Sequence, residues 1–285
     1  MPTHKNLLLP GAHGLPVLTD IFLPDKQSPA PIIIYAHGFN GFKDWGNFDL
    51  IAQQFAAAGF VFIKFNFSHN GTTPEQPEAF ANLEAYAANN YSKELDDLGT
   101  VIDWAVSDQN PYAAHMEQAK LGLIGHSLGG GIVLLKAAED TRVKAIATWA
   151  AISTCQTPWA NWAQQQIADW KESGVAYITN SRTGQELPLG YQLVEDFQQN
   201  KERLDIETAV KKLHQPLLIC HGSEDTSVPF ESALKLKSWK PDARLSTVAS
   251  DHVFGRSHPW TAPELPAATQ EVVERTISFF QGNLG

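Results

Sequence analysis

The sequence predicts an α/β protein in which a mostly parallel central sheet carries helices on both faces. Strand-like apolar runs alternate with helical patterns through most of the 285 residues, as repeated βαβ units require. The run 32–36 is apolar at every position, which is typical of a strand buried on both faces. A hydrophobic content of 43% supplies enough apolar side chains for such a core, and no repeat or linker divides the chain. We therefore expect a single domain over residues 1–285.

Composition and charge restrict the class of partner. The chain has 21 Lys and Arg against 31 Asp and Glu, and its net charge of −10 argues against nucleic acid or an anionic membrane surface. Two cysteines, Cys155 and Cys220, cannot form a disulfide framework, which favours a reducing compartment. Residues 1–25 lack the pattern of a signal peptide, and no apolar run approaches the ~20 residues that span a bilayer. We expect a cytoplasmic monomer or homodimer.

The elements before the glycine-rich centre of the chain follow one another closely. Residues 6–9 and 15–23 predict two strands joined by a Gly-Ala-His-Gly turn. The buried strand 32–36 comes next, followed by a helix over 47–58 that ends at a glycine. The segment 60–67 predicts another buried strand.

A long polar segment then separates this part from the next helix. Residues 68–90 predict a loop with a helical turn near 80–86, and loops of this length are usually functional. Residues 92–106 predict a helix that Ser92 caps, with acidic residues in its first two turns. A further strand is predicted at 143–151.

Residues 152–213 interrupt the alternation of strands and helices. The segment is rich in tryptophan and glutamine and shows no convincing buried strand, so we expect a helical lid inserted over one end of the sheet. Beyond it the alternation resumes, with strands at 216–220 and 244–248 and helices at 230–238 and 270–281.

The central motif is Gly125-His126-Ser127-Leu128-Gly129, between the apolar run 121–124 and a helix predicted at 132–138. A serine on a sharp strand-to-helix turn needs small residues two positions before and after it, and Gly125 and Gly129 meet that need. Such a turn exposes the Ser127 hydroxyl and directs the Leu128 N–H toward a developing oxyanion. The alternative is a glycine-rich turn with no chemical role.

Partners for Ser127 are sought where other parallel strands end, because their carboxyl ends share one edge of the sheet. Asp225 follows the strand at 216–220 and His252 follows the strand at 244–248. A histidine base activates the serine, and a carboxylate orients that histidine. Ser127, Asp225 and His252 are thus the predicted catalytic residues.

Each of these assignments has alternatives in the sequence. His258 precedes Pro259 without a strand directly before it, and His126 lies inside the turn, where packing beside Ser127 is expected. The remaining alternatives are His37 and His221 for the base, Glu224 and Asp251 for the carboxylate, and Cys155 and Cys220 for the nucleophile.

These segments together resemble the serine hydrolases of the α/β-hydrolase superfamily. The resemblance rests on His37-Gly38-Phe39, Gly125-x-Ser127-x-Gly129, His221-Gly222-Ser223-Glu224-Asp225 with Val228-Pro229, and Asp251-His252-Val253-Phe254. More finely, the chain resembles bacterial cinnamoyl (feruloyl) esterase-like proteins and stand-alone relatives of prolyl-oligopeptidase catalytic domains.

The resemblance implies an α/β-hydrolase fold with a helical lid and places a second oxyanion donor at the Phe39 N–H. The chain departs from its relatives at 66–71, where Asn-Phe-Ser-His-Asn-Gly replaces the usual Asp-x-Arg-Gly-like stretch. We expect this change to alter loop geometry rather than chemistry.

The expected function is hydrolysis of carboxylic esters with small or aromatic acyl groups through an acyl-enzyme, without metal or organic cofactor. The alternatives are a small peptidase of the acylaminoacyl type and a non-catalytic ligand-binding protein. A haloalkane dehalogenase is disfavoured, because it requires a carboxylate at position 127. The candidate pocket residues are His126 and four tryptophans, namely Trp45, Trp149, Trp159 and Trp162.

Overall fold

The computed structural model describes residues 2–25 and 29–285. Eight strands form one sheet in the order β1-β2-β4-β3-β5-β6-β9-β10, and β7 pairs with β8 in a separate two-stranded sheet. The strands are β1 (Thr3–Leu9), β2 (Val17–Phe22), β3 (Ala30–Ala36), β4 (Val61–Asn66), β5 (Met116–His126), β6 (Val143–Trp149), β7 (Val175–Thr179), β8 (Glu186–Gly190), β9 (Leu217–Gly222) and β10 (Arg244–Val248).

The central sheet is mixed. Strands β1 and β2 are antiparallel to their neighbours, whereas every pairing from β4 to β10 is parallel. The helices are α1 (Phe48–Ala57), α2 (Leu83–Ala87), α3 (Tyr91–Ala105), α4 (Leu128–Glu139), α5 (Gln164–Ser173), α6 (Gln192–Gln199), α7 (Ile206–Lys212), α8 (Glu231–Trp239) and α9 (Ala267–Leu284). Among the described residues, none of these helices has the length and hydropathy to cross a membrane.

The core has two parts, one on each face of the sheet. Successive residues of β3 point to opposite faces: Ile32 and Ile34 join one hydrophobic cluster, Ile33 and Tyr35 the other. Helices α3 and α4 pack together on the first face, and α1 packs with α9 on the second. Because the central strands are covered on both faces, the predicted continuous apolar pattern at 32–36 follows from the architecture.

Residues 152–213 contain the predicted helices, and they also contain the β7–β8 hairpin, which the sequence analysis did not predict. Leu187 and Leu189 of β8 are buried, and the indole N–H of Trp170 in α5 donates to the main-chain oxygen of Leu189 at 2.7 Å. Strands of five residues are too short to show a clear alternation of buried and exposed residues, and β8 also contains Pro188. The last helix of the segment, α7, packs on α4 and thus belongs to the body of the domain.

The region before α3 also differs in detail from the prediction. The loop at 68–90 contains the short helix α2, close to the expected helical turn. Helix α3 begins at Tyr91, and its cap is Asn90, whose side-chain oxygen accepts from the N–H of Lys93 at 3.0 Å. Ser92 is inside the helix, so its predicted role as the cap is wrong.

Candidate active site

Ser127 occupies the turn between β5 and α4. Its φ of 55° and ψ of −118° lie in a region that residues with a side chain rarely adopt. A Cβ on Gly125 would lie 2.2 Å from the oxygen of Gly129, and one on Gly129 would lie 2.4 Å from the oxygen of Ala36. The N–H of Ser127 donates to the oxygen of Trp149 at 2.9 Å. The two glycines and this hydrogen bond hold the strained turn in place.

Asp225 is fixed by hydrogen bonds on both of its carboxylate oxygens. Oδ1 accepts from the N–H groups of Ser227 and Val228 at 2.9 and 2.8 Å. Oδ2 lies 2.7 Å from Nδ1 of His252 and 3.3 Å from Nε2 of His221. Burial alone would raise the pKa of Asp225, but the bonds from His221 and His252 hold it well below its usual range.

The protonation of His252 follows from this contact. An ionised carboxylate can only accept, so Nδ1 of His252 carries the proton that is donated to Asp225. In the neutral ring Nε2 is then unprotonated and available as a base. The arrangement gives one histidine a fixed tautomer at the same edge of the sheet as Ser127.

Ser127 and His252 line the same cavity, whose volume is about 160 Å³. Two of the predicted pocket residues, Trp45 and His126, lie in its wall, as does Phe39. This cavity therefore brings together the serine, the histidine and the loop after β3.

The loop after β3 approaches Ser127 directly. A Cβ on Gly38 would lie 2.9 Å from Cβ of Ser127, so the absence of a side chain allows this contact. Phe39 follows immediately, and Leu128 is the first residue of α4. The first N–H groups of a helix lack intrahelical acceptors and carry partial positive charge. Main-chain donors at Phe39 and Leu128 thus lie on the two segments that meet beside Ser127.

His37 holds the start of this loop. Its Nδ1–H donates to the oxygen of Gly38 at 2.9 Å, and its Nε2 accepts from the N–H of Phe67 and the amide of Asn70, both at 3.4 Å. Burial lowers the pKa of His37 to about 4, although the bond to Gly38 opposes the shift. The ring is therefore neutral at pH 7 and acts as a support for the loop.

The sequence departs from its relatives at 66–71. Two asparagines of this segment make hydrogen bonds to the loop after β3. Asn66 accepts from the N–H of Lys43 at 2.6 Å and donates to the oxygen of Pro77 at 3.0 Å. Asn70 donates to the oxygen of Gly41 at 3.2 Å. These asparagines tie the long loop at 68–90 to the loop after β3.

A buried ionic cluster includes Lys43 and Asp44, which lie in the loop after β3. The ammonium groups of Lys43 and Lys64 are fully buried and contact Asp20, Asp44 and Asp49. In the described part of the chain, these three carboxylates form the one group close enough to share a cation. Lys5 also contacts Asp49, so three ammonium groups balance the three carboxylates and the cluster fits a structural role.

His126 directly precedes Ser127 and contacts the loop after β10, which carries His252. Its Nε2–H donates to the main-chain oxygen of His252 at 3.0 Å, and the two ring centroids are 4.8 Å apart. Burial and the neighbouring charge of His252 lower the pKa of His126 well below its usual range. A neutral His126 is therefore placed to orient His252 and also forms part of the cavity wall.

Three of the predicted pocket tryptophans do not line the cavity that contains Ser127. Trp149 is 1% exposed, and its indole N–H donates to Thr276 at 3.0 Å, because the residue points into the core between β6 and α9. Trp159 and Trp162 pack against Trp170 within the insertion. Their assignment to the pocket is therefore corrected: one stabilises the body and two stabilise the insertion.

The alternative bases and carboxylates have other contacts. His258 accepts from the N–H of Gly46 at 2.9 Å, and His221 donates to the oxygen of Val228 at 2.9 Å. Asp251 accepts from the N–H of Val253 at 3.2 Å and that of Gly255 at 2.9 Å. These side chains shape the loops around Asp225 and His252.

The remaining alternatives are exposed or inert. Glu224 is exposed and is not within hydrogen-bonding distance of His252 among the contacts of the described residues. Both cysteines are buried, and burial raises the pKa of the Cys220 thiol to about 12. A buried protonated thiol is a poor nucleophile.

Sequence reasoning missed a second, smaller cavity on the other side of the loop after β3. It has a volume of about 30 Å³, is lined by Phe39 and Leu128, and contains the buried side chain of Glu94. Glu94 is one of the acidic residues in the first two turns of the helix predicted at 92–106. Its helical spacing from the buried Leu98 and Val101 is the local signal that places Glu94 on the inner face of α3.

Comparison with known proteins identifies the family of the chain. The BD-FAE family model matches residues 19–240. The putative esterase YitV of Bacillus subtilis is 24% identical over 224 residues, which cover 78% of this chain and 79% of that protein. The structure of Est1E from Butyrivibrio proteoclasticus is similar with a TM-score of 0.67 at 17% identity, over 98% of each chain.

A further relative matches only in part. An uncharacterized 31.7 kDa protein of Escherichia coli is 29% identical over 131 residues, 46% of this chain and 41% of that protein. The family model, in contrast, covers most of the chain, and the structural likeness extends over nearly all of it. The chain thus belongs to the BD-FAE family, and it shares the α/β-hydrolase fold of its structural neighbours.

Proposed function

We propose that this protein is a serine hydrolase that cleaves carboxylic esters of small or aromatic acyl groups through an acyl-enzyme. The observation that carries the proposal is the 2.7 Å hydrogen bond between Asp225 and His252, with His252 and Ser127 in one cavity. A serine on a strained turn, a histidine of fixed tautomer and a buried carboxylate are the three parts that acyl transfer requires.

The first half of the cycle forms the acyl-enzyme. Nε2 of His252 takes the proton of the Ser127 hydroxyl as the Ser127 oxygen attacks the ester carbonyl. The N–H groups of Phe39 and Leu128 bind the oxygen on which negative charge develops; one such donor contributes roughly 3–4 kcal/mol to transition-state stabilisation. Asp225 stabilises the imidazolium. His252 then gives its proton to the alcohol as the carbon–oxygen bond breaks.

The second half releases the acid. A water molecule gives a proton to His252 and attacks the acyl-enzyme, and the same main-chain donors bind the oxyanion. Collapse of this intermediate breaks the bond to Ser127, which recovers its proton from His252. The carboxylic acid leaves and the free protein is restored.

Labelling with a fluorophosphonate tests the nucleophile. We expect covalent labelling of the native protein and none of the Ser127→Ala variant. The matched control is Ser223→Ala, because Ser223 is an exposed serine in the loop that carries Asp225. Labelling that is undiminished in Ser127→Ala would overturn the mechanism, and folded native protein that takes up no label would favour a non-catalytic binding role.

A substrate panel tests the reaction class. We expect faster turnover of nitrophenyl esters with acetyl, butanoyl and phenylpropanoyl groups than of aminoacyl anilides, each measured with Ser127→Ala as the blank. Preferential cleavage of the anilides would instead assign the protein to the peptidases.

A further inference from the structure

The small cavity beyond the loop after β3 lies next to the reacting centre, and polar side chains form part of its lining. It shares His37–Gly41 as a wall with the cavity that contains Ser127, and it is also lined by Leu128. Neither Ser127 nor His252 lines it. Its volume of about 30 Å³ suffices for about two water-sized groups.

Two buried polar atoms of side chains that line this cavity have no hydrogen-bond partner among the described residues. They are Oε2 of Glu94 and Oδ1 of Asn89. The other ends of the same side chains are joined, since the Asn89 amide donates to Oε1 of Glu94 at 2.8 Å. Unpaired buried polar atoms are costly, so two of them on neighbouring side chains indicate a missing binding partner.

The neighbouring polar groups are already paired. The hydroxyl of Tyr86 donates to Asn40, and that of Tyr91 donates to the oxygen of Thr157 at 2.6 Å. A group that enters the cavity therefore meets Glu94 and Asn89 as its available partners.

Glu94 and Asn89 present complementary hydrogen-bonding atoms. Glu94 is 4% exposed, and this burial raises its pKa to about 8, with the bond from Asn89 opposing the shift and the charge of Asp97 adding to it. At pH 7 the carboxyl is mostly protonated, and because Oε1 accepts from Asn89, the proton belongs on Oε2. Glu94 thus offers a donor and Asn89 an acceptor.

We propose that Glu94 and Asn89 form a subsite that binds a hydroxyl group on the acyl part of the substrate. A hydroxyl accepts one hydrogen bond and donates another, so it pairs with both atoms at once. An ether or ketone oxygen cannot donate to Asn89, and an ammonium group cannot accept from Glu94. The chemistry of the two free atoms therefore selects a hydroxyl.

The position of the subsite assigns it to the acyl part, and this step rests on the function proposed above. The leaving alcohol receives its proton from His252, so it lies in the cavity that His252 lines. The small cavity is lined by Phe39 and Leu128, whose N–H groups hold the carbonyl oxygen, and not by His252. A substituent that extends past those donors away from His252 is the acyl chain.

Matched nitrophenyl esters test the subsite. Each pair differs by a hydroxyl in place of a methyl group: 3-hydroxybutanoyl with 3-methylbutanoyl, 6-hydroxyhexanoyl with heptanoyl, and 3-(4-hydroxyphenyl)propanoyl with 3-(4-methylphenyl)propanoyl. The readout is the ratio of kcat/KM within each pair at pH 7. Because the ratio is compared between protein variants, the intrinsic reactivity of the esters cancels.

The variants separate hydrogen bonding from structure. In at least one pair, we expect Glu94→Leu to lower the hydroxyl-to-methyl ratio by on the order of tenfold. Glu94→Gln should retain the ratio within about threefold, because its amide accepts from Asn89 and donates in place of the carboxyl proton. Glu84→Gln, which alters an exposed carboxylate nearby in α2, should leave the ratio unchanged.

A binding measurement separates this proposal from the catalytic one. Calorimetry with the Ser127→Ala variant compares the Kd of the same ester pairs without turnover, and we expect the hydroxyl ester of the responsive pair to bind more tightly. If the native protein cleaves no ester yet this binding preference appears, the proposed function fails and the subsite remains. Hydroxyl-to-methyl ratios that are the same in native protein and Glu94→Leu, in turnover and in binding, would overturn the subsite.

Discussion

Nε2 of His126 donates a hydrogen bond to the main-chain oxygen of His252 across 3.0 Å. The bond connects the residue before Ser127 to the loop that follows β10. His126 and His252 also pack ring against ring. The side chain of His126 therefore holds together the turn that carries Ser127 and the loop that carries His252. His126 takes no proton in the proposed cycle.

Loss of this bond should slow the reaction without unfolding the protein. We expect His126→Phe to lower kcat on the order of tenfold, since a misplaced base weakens proton transfer. His126→Gln retains an N–H donor and should recover part of the rate. Stopped-flow measurement of the acylation step distinguishes the two variants, and equal rates for both would contradict the positioning role.

Asp225→Asn tests the carboxylate. The amide no longer fixes the tautomer of His252 or stabilises its charged form, so we expect kcat to fall on the order of 10³–10⁴-fold with the fold retained. The matched control is Glu224→Gln, which changes the exposed carboxylate one position earlier and should leave kcat unaffected. Circular dichroism verifies folding, and a native-like kcat for Asp225→Asn would exclude Asp225 from the mechanism.

Gly38→Ala tests the approach of the oxyanion loop. The added methyl group would lie 2.9 Å from Cβ of Ser127 and 3.1 Å from the oxygen of His126, so the loop must shift. Displacement of the Phe39 N–H should lower kcat on the order of 10²-fold. Gly282→Ala, in α9 with no heavy atom within 4 Å of the added group, serves as the control. Equal activity of the two variants would refute the role of the loop.

Two tryptophans should respond in opposite ways. Trp149→Phe removes a buried hydrogen bond to Thr276 and part of the core, so we expect a loss of about 1–3 kcal/mol in the free energy of unfolding with KM unchanged. Trp45 forms part of the wall of the cavity that contains Ser127. Trp45→Ala removes apolar contact area from this wall, so we expect a higher KM for esters of bulky alcohols. Urea denaturation and steady-state kinetics measure both. A rise in KM for Trp149→Phe would return that residue to the pocket.

The features that sequence analysis placed well are those set by local rules. The apolar run of β3 and the glycines around Ser127 reflect burial and steric crowding that a single segment determines. Asp225 and His252 are found in sequence because parallel strands end at a common edge. Their hydrogen bond forms because β9 and β10 are neighbouring parallel strands and the loops after them meet.

The features that sequence analysis misplaced depend on how distant segments pack. Trp149 ends a strand at the correct edge, yet its side chain turns to α9 because Thr276 there accepts its N–H. Glu94 is an acidic residue in the first turn of α3, yet Asn89 and the loop after β3 enclose it. Its spacing from Leu98 indicates the buried face of the helix, but the groups that enclose it come from other segments.

The buried Glu94 also predicts a specific pH dependence of stability. Its pKa is about 8 in the folded protein against an ordinary 4.5, so between these values the unfolded chain ionises while the folded protein keeps the proton. The folded protein binds one proton more than the unfolded chain in this range. The free energy of unfolding therefore falls as pH rises from about 4.5 to 8. The Gln side chain of Glu94→Gln is neutral in both states, so this variant does not lose stability in this way. Over that range we expect its free energy of unfolding to rise relative to that of the native protein.

Thermal unfolding of both proteins from pH 5 to 9 measures this effect. We expect the Tm of Glu94→Gln minus that of native protein to increase with pH and to level off above about 8. Glu84→Gln controls for exposed carboxylates and should show a constant difference. His37, whose pKa of about 4 gives the opposite slope below pH 6.5, is present in all three proteins and cancels in the comparison. A difference that stays flat for Glu94→Gln would mean that Glu94 is ionised in the folded protein, in which case Oε2 would have no proton to donate to a hydroxyl.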